Sequence, residues 1–201
     1  ARDVVGEAYT YYELGNWQDD GMRQGKAMHP RLVAAFAAFA AADTSLRDRV
    51  SGLQAEMAER RLARLAEDPD RRDVYIVERL AFDAERMLDH LDDIGAKSFP
   101  RERFEAAVTT FESAWQEYDK FAKANPKHPN GAIGDALLAH HAFDLLKSAK
   151  STMRRERQGF RFDEGERMLI EAQAAQMVEG HPSQLVDKYN QFVDSINRAR
   201  R

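Results

Sequence analysis

PRLVAAFAAFAAADTSLRDRVSGLQAEM, residues 30–57, decides the fold class. Leu32, Phe36, Phe39, Leu46, Val50, Leu53 and Met57, with Asp43 in the one polar slot, recur at alternating steps of four and three. That is a heptad stripe along a helix; a strand would alternate every second residue. Pro30 suits the first turn of such a helix, because it needs no donor there. The pattern fades towards Asp68-Pro69, where the helix is expected to stop.

The same periodicity continues along the chain. Val77, Leu80, Ala84, Met87, Leu91 and Ile94 mark one face of a helix expected from about residue 70 to 94, with Gly95 as its C-cap. Ser98 and Pro100 open the next, whose stripe is Phe104, Val108, Phe111, Trp115, Tyr118 and Ala122. NPKHPNGAIG (125–134) reads as a loop, with two prolines and two glycines in ten residues. Leu138, Ala142, Leu145, Ala149 and Met153 then face inward on a further helix. Helical pattern resumes from about 164 to 178, and Ser183 is placed to cap a last helix ending near Arg198. The first segment, 2–28, begins helically, but Gly15, Gly21 and Gly25 weaken its second half. No stretch shows sustained strand alternation. The expectation is an all-α, antiparallel helical bundle of five to seven helices with coiled-coil-like seams, in a single domain over 1–201.

Composition narrows the function classes. The 201 residues are 43% hydrophobic and 32% charged, enough for a core without a covalent staple. A net charge of −4 gives no reason to expect nucleic acid as a partner. With no cysteine, disulfides, thiolate nucleophiles and Cys-based metal sites are excluded; such a chain suits cytoplasm and periplasm alike. The most apolar run, LVAAFAAFAAA (32–42), is too short to span a bilayer and ends in Asp43. The chain opens at Ala1, which fits either a removed leader or a trimmed chain.

Candidate chemistry is sparse. His140 and His141 sit opposite and beside the apolar face of their helix, and Asp144 lies one turn from His140. Two ligands on a solvated face make a weak metal site. The Glu-x-x-His pairs of carboxylate-bridged di-metal bundles are absent, since the positions three before His90, His140 and His141 are Met87, Leu137 and Leu138. DHLDD (89–93) reads as a solvated helix face. GMRQGKA (21–27) has three residues where a phosphate loop needs four, and Ala27 where it needs Ser or Thr. RRERQGFR (154–161) and RARR (198–201) fall at helix ends, where cations favour the dipole. No nucleophile-elbow context surrounds any serine. No catalytic residue, metal or cofactor is therefore assigned.

The two ends carry the remaining candidates. In the last helix Leu185, Tyr189, Phe192 and Ile196 form a stripe, with Asn190 and Asn197 on the same edge. Near the start, Val5, Tyr9, Tyr12 and Asn16 share a face if the helix runs through Gly15. A buried amide needs a partner, because leaving it unpaired costs about 1–3 kcal/mol. Tyr9, Tyr12, Asn16, Tyr189, Asn190 and Asn197 are thus expected as seam or ligand contacts, with the terminal helices lying together.

YTYYELGNW at the start and HPSQLVDKYNQFVDSIN at the end resemble the YiiG-like family of bacterial lipoproteins, a domain family of unknown function. Tyr12, Asn16, Tyr189, Asn190 and Asn197 occupy the matching positions over about 25 residues, and the middle matches only in being long and helical. The resemblance implies export, a periplasmic or membrane-anchored location, and a lipid on a cysteine upstream of Ala1. It carries no catalytic residue. Together these readings predict a non-enzymatic cell-envelope protein that binds an unknown protein or small molecule. The alternative is a small-ligand sensor, its pocket lined by the aromatic third stripe and the Tyr/Asn seam.

Overall fold

The computed structural model describes residues 2–91, 94–95 and 99–199. Asp92, Asp93, Ser98 and the last two arginines lie outside them. The described residues form eight α-helices and no strand: α1 (Arg2–Glu13), α2 (Asn16–Asp19), α3 (Arg23–Ala66), α4 (Arg72–Leu88), α5 (Arg101–Ala124), α6 (Ala136–Arg157), α7 (Glu164–Glu171) and α8 (Pro182–Ala199). The all-α class is as expected. The eighth helix is the single turn α2, present because the chain breaks at Leu14 and Gly15 (φ 71°) rather than running helically through them. The chain divides into two compact units, residues 1–60 and 61–201, and the division falls within α3.

In the first unit, Ala8, Tyr11 and Met28 are buried together, with Leu32 packed against them. Glu7 pairs with Arg31 while Tyr11 lies against Gly25, so α1 runs antiparallel to the start of α3. The Tyr11 hydroxyl donates to Asp20 Oδ1 at 2.6 Å, and the Gln24 amide donates to Asp20 Oδ2 at 2.9 Å. That carboxylate holds the first turn of α3, so the helix begins at Arg23 and Pro30 lies inside it. The expected start at Pro30 is thus seven residues late: capping and burial upstream outweigh the missing Pro30 donor.

The second unit holds the main core. Leu80, Ala84, Met87, Phe111, Tyr118, Leu138, Ala142, Leu145, Ala149, Leu185 and Phe192 are fully buried. Their source is the amphipathic face of four helices, α4, α5, α6 and α8. Ion pairs set the directions: Arg79 at mid-α4 meets Glu117 late in α5 at 3.1 Å, and Arg157 at the end of α6 meets Glu105 early in α5 at 2.8 Å. Ser151 of α6 donates to Glu179 just before α8, and Ser148 to Gln184 within it. Successive neighbours are therefore antiparallel, an up-down-up-down arrangement. The last turns of α3 join this unit, with Leu65 buried and Arg61 paired to Glu78 at 3.0 Å.

Three boundaries differ from the periodic reading. α4 ends at Leu88, not at 94, because His90 and Leu91 bond back three residues instead of four, which tightens the chain into a turn. α7 stops at Glu171, and a short 3₁₀ turn covers Ala175–Met177; Gln173 between them has φ 59°. α8 starts at Pro182, and the cap is His181, whose Nδ1 accepts the Ser183 amide at 3.1 Å. The loop 125–135 is pinned: Tyr118 donates to the Ala132 carbonyl at 2.8 Å and Asn130 to Asp73 at 2.7 Å.

Candidate functional site

The stripe on α3 that reads most plainly as a core seam is not covered in the single chain. Phe36, Phe39, Leu46, Val50, Leu53 and Met57 are 43–69% exposed, and Val33 beside them is 53% exposed. The helix stands without that cover for local reasons. Residues 34–42 are mostly alanine, the best helix former, and Asp43–Arg47 and Glu56–Arg60 are i,i+4 ion pairs. Seven large apolar side chains at these exposures leave on the order of 700 Å² of apolar surface, above the roughly 300–600 Å² of the largest patch on a typical monomer. Single exposed leucines need no explanation, but a contiguous heptad row does.

Among the described residues, no group of three or more His, Asp or Glu side chains is placed to hold a metal. His140 is exposed and lies 3.5 Å from Asp144. No helix among the described residues is long and apolar enough to cross a membrane.

The residues singled out at the two ends fall in different units. In the first, Tyr9, Tyr12 and Asn16 are exposed, and the Tyr12 ring packs edge-on against the buried Tyr11 at 5.0 Å. Tyr11, not singled out from the sequence, carries the chemistry here: its hydroxyl holds the Asp20 carboxyl below the ordinary carboxylate range, while its own burial raises the phenol. In the second unit, Tyr189 is half-buried against the main core and its hydroxyl is pushed up by burial; Asn190 and Asn197 are exposed. The aromatic stripe of α5 is core: Phe104, Phe111 and Tyr118 are buried, and Phe111 meets Phe192 edge-on at 6.2 Å.

A cleft of about 580 Å³ in the second unit was not foreseen. Ile94, Phe160, Phe162 and His181 supply its apolar and aromatic walls, and Arg101 and Glu156 meet at its side through two bonds of 2.6 and 2.7 Å. Glu156 is buried, and the two bonds from Arg101 satisfy its carboxyl oxygens there. Arg155, read from sequence as a solvated helix-end cation, instead pairs with Glu166, donates to the carbonyls of Arg161 and Glu179, and lies 5.0 Å over the Phe162 ring. Burial, and then this guanidinium, pull the His181 imidazole below its ordinary value. Because Nδ1 accepts the Ser183 amide, the proton of the neutral ring sits on Nε2. The only local trace of this cleft is GFRF (159–162) after a basic helix end; Arg101 and Glu156 are 55 residues apart and no spacing rule joins them.

No curated protein matches the chain, and no solved structure does. The model of a protein family of unknown function, DUF3829, matches residues 2–198, nearly the whole sequence, and the chain accordingly belongs to that family.

Proposed function

We propose that this protein is a non-enzymatic interaction module of the bacterial cell envelope, and that the heptad face of α3 is where it meets its partner. The observation that carries the reading is the exposed row from Phe36 to Met57. A helix-in-groove or helix-on-helix partner is what such a row accepts, because knobs at i, i+3, i+4 and i+7 need holes at the same spacing. The placement at the envelope rests on the YiiG-like texture of the two ends. Protein released by mild detergent from the envelope of its own cells is expected to sediment as an assembly larger than one chain. Phe36→Lys with Leu53→Lys is expected to reduce it to a single chain with unchanged far-UV circular dichroism. Recovery from the cytosol alone overturns the location, and a wild-type chain that sediments alone overturns the interaction.

A second reading, a small-ligand binder, is supported by Phe160. It holds φ 51° beside the cleft, a left-handed conformation that a bulky side chain adopts at a cost of about 1–3 kcal/mol. Residues held in such conformations cluster at binding and active sites. Phe160→Gly is expected to change stability by less than about 1 kcal/mol, because backbone relief offsets the lost ring contacts. A loss of several kcal/mol in a urea titration marks the ring as ordinary packing and removes this support.

A further inference from the structure

We infer that the partner of the α3 face is α3 of a second copy of this chain, packed antiparallel about a two-fold axis between Thr44 and Ser45. The inference rests on the interaction reading above and names its occupant. α3 runs for 44 residues, and its heptad row from Leu32 to Met57 spans nearly four heptads, the length at which a sustained a/d pattern argues for a coiled coil. The stripes of α4, α5, α6 and α8 are spent on the core of the second unit. Among the described residues, α3 is the long helix whose heptad row is left exposed.

The sequence of the row selects the direction. With Phe36, Asp43, Val50 and Met57 as a positions, Phe39, Leu46 and Leu53 are d positions. A parallel pair sets each a residue against itself and brings Asp43 onto the partner's Asp43 inside the seam, two carboxylates face to face. An antiparallel pair sets a against d. Phe36 then meets Leu53, Phe39 meets Val50, and Asp43 meets Leu46 with the partner's Arg47 alongside. Arg47 already bonds Asp43 of its own helix at 2.8 Å, so the one polar layer closes as a mixed-charge cluster. Side-chain size agrees. The flanking positions of the first half are Ala35, Ala40 and Ala42, and those opposite them in the antiparallel register are Glu56, Arg47 and Arg49. Small residues thus face long stems, and no like charges meet across the flanks. The roughly 700 Å² of apolar surface each copy offers is close to the roughly 800 Å² per partner of a stable interface.

The absence of cysteine makes the register directly readable. Purified chain is expected to sediment as a dimer across the micromolar range, and Phe39→Lys as a monomer of unchanged helicity. Under a glutathione redox buffer, a mixture of Phe39→Cys and Val50→Cys chains is expected to form a covalent dimer, while neither variant alone does so. In the antiparallel register, like positions lie eleven residues apart, about 16 Å along the axis, beyond the roughly 7 Å reach of a disulfide. Cross-linking by either variant alone shows a parallel pair and overturns the proposal. A monomeric wild type, or a dimer that survives Phe39→Lys, overturns it as well. If the purified chain is monomeric while the envelope assembly is larger, the second copy is wrong and the interaction reading stands; if both run as single chains, both fall.

Discussion

Phe111→Ala is expected to destabilise the second unit by about 3–5 kcal/mol, the range for removing a large aromatic from a closed core. Phe111 is fully buried, sits at the middle of α5, and meets the equally buried Phe192 of α8 edge-on. Helices on either side of the bundle therefore lose a shared contact, and the space left cannot close without moving α5 or α8. The loss is a sizeable fraction of the 5–15 kcal/mol that holds a typical domain. Urea unfolding followed by Trp115 fluorescence measures it, in a Trp17→Phe background so that only the second unit reports. A shift in midpoint without a change in slope is the expected form. The double variant with Phe192→Ala should recover part of the sum, with a coupling of about 0.5–1.5 kcal/mol for the ring pair. A loss below about 1 kcal/mol contradicts that packing.

Gly180→Ala is expected to cost about 2–4 kcal/mol, for two reasons that add. Gly180 holds φ 74°, where an L side chain is strained, and a Cβ there would lie 2.9 Å from the Ser151 carbonyl oxygen and 3.1 Å from Arg155 Cβ. Both obstacles belong to α6, one of them backbone, so relief requires the entry to α8 to move. Gly159→Ala separates the two effects. Gly159 has a similar φ of 71° but nothing within 4 Å of its missing Cβ, so strain alone should cost about 1 kcal/mol. Equal losses at the two sites in the same urea titration remove the close approach of residue 180 to α6 as a cause.

The apolar faces of α4, α5, α6 and α8 were legible because burial imposes the helical period on each face separately. Leu138, Ala142, Leu145 and Ala149 needed no knowledge of what they touch. Helix ends were less legible. Asp20 holds the start of α3 partly through the Tyr11 hydroxyl, and His181 takes the cap of α8 through a ring nitrogen, so neither follows from a local cap motif. The cleft was illegible for the same reason in stronger form, since the Arg101–Glu156 pair joins residues from two helices. The asparagine edge of α8 shows the opposite limit: position beside a stripe does not imply cover, and Asn190 and Asn197 are exposed.

The sequence by itself determined the all-α class and the inward face of each bundle helix, because side-chain period is a property of the backbone's own geometry. It marked the row from Phe36 to Met57 as apolar in the same way. Only the tertiary structure decided that this row stays uncovered within one chain while four like it close on each other. Periodicity records that a face avoids water, but the surface that covers it is supplied by residues distant in sequence or by another molecule.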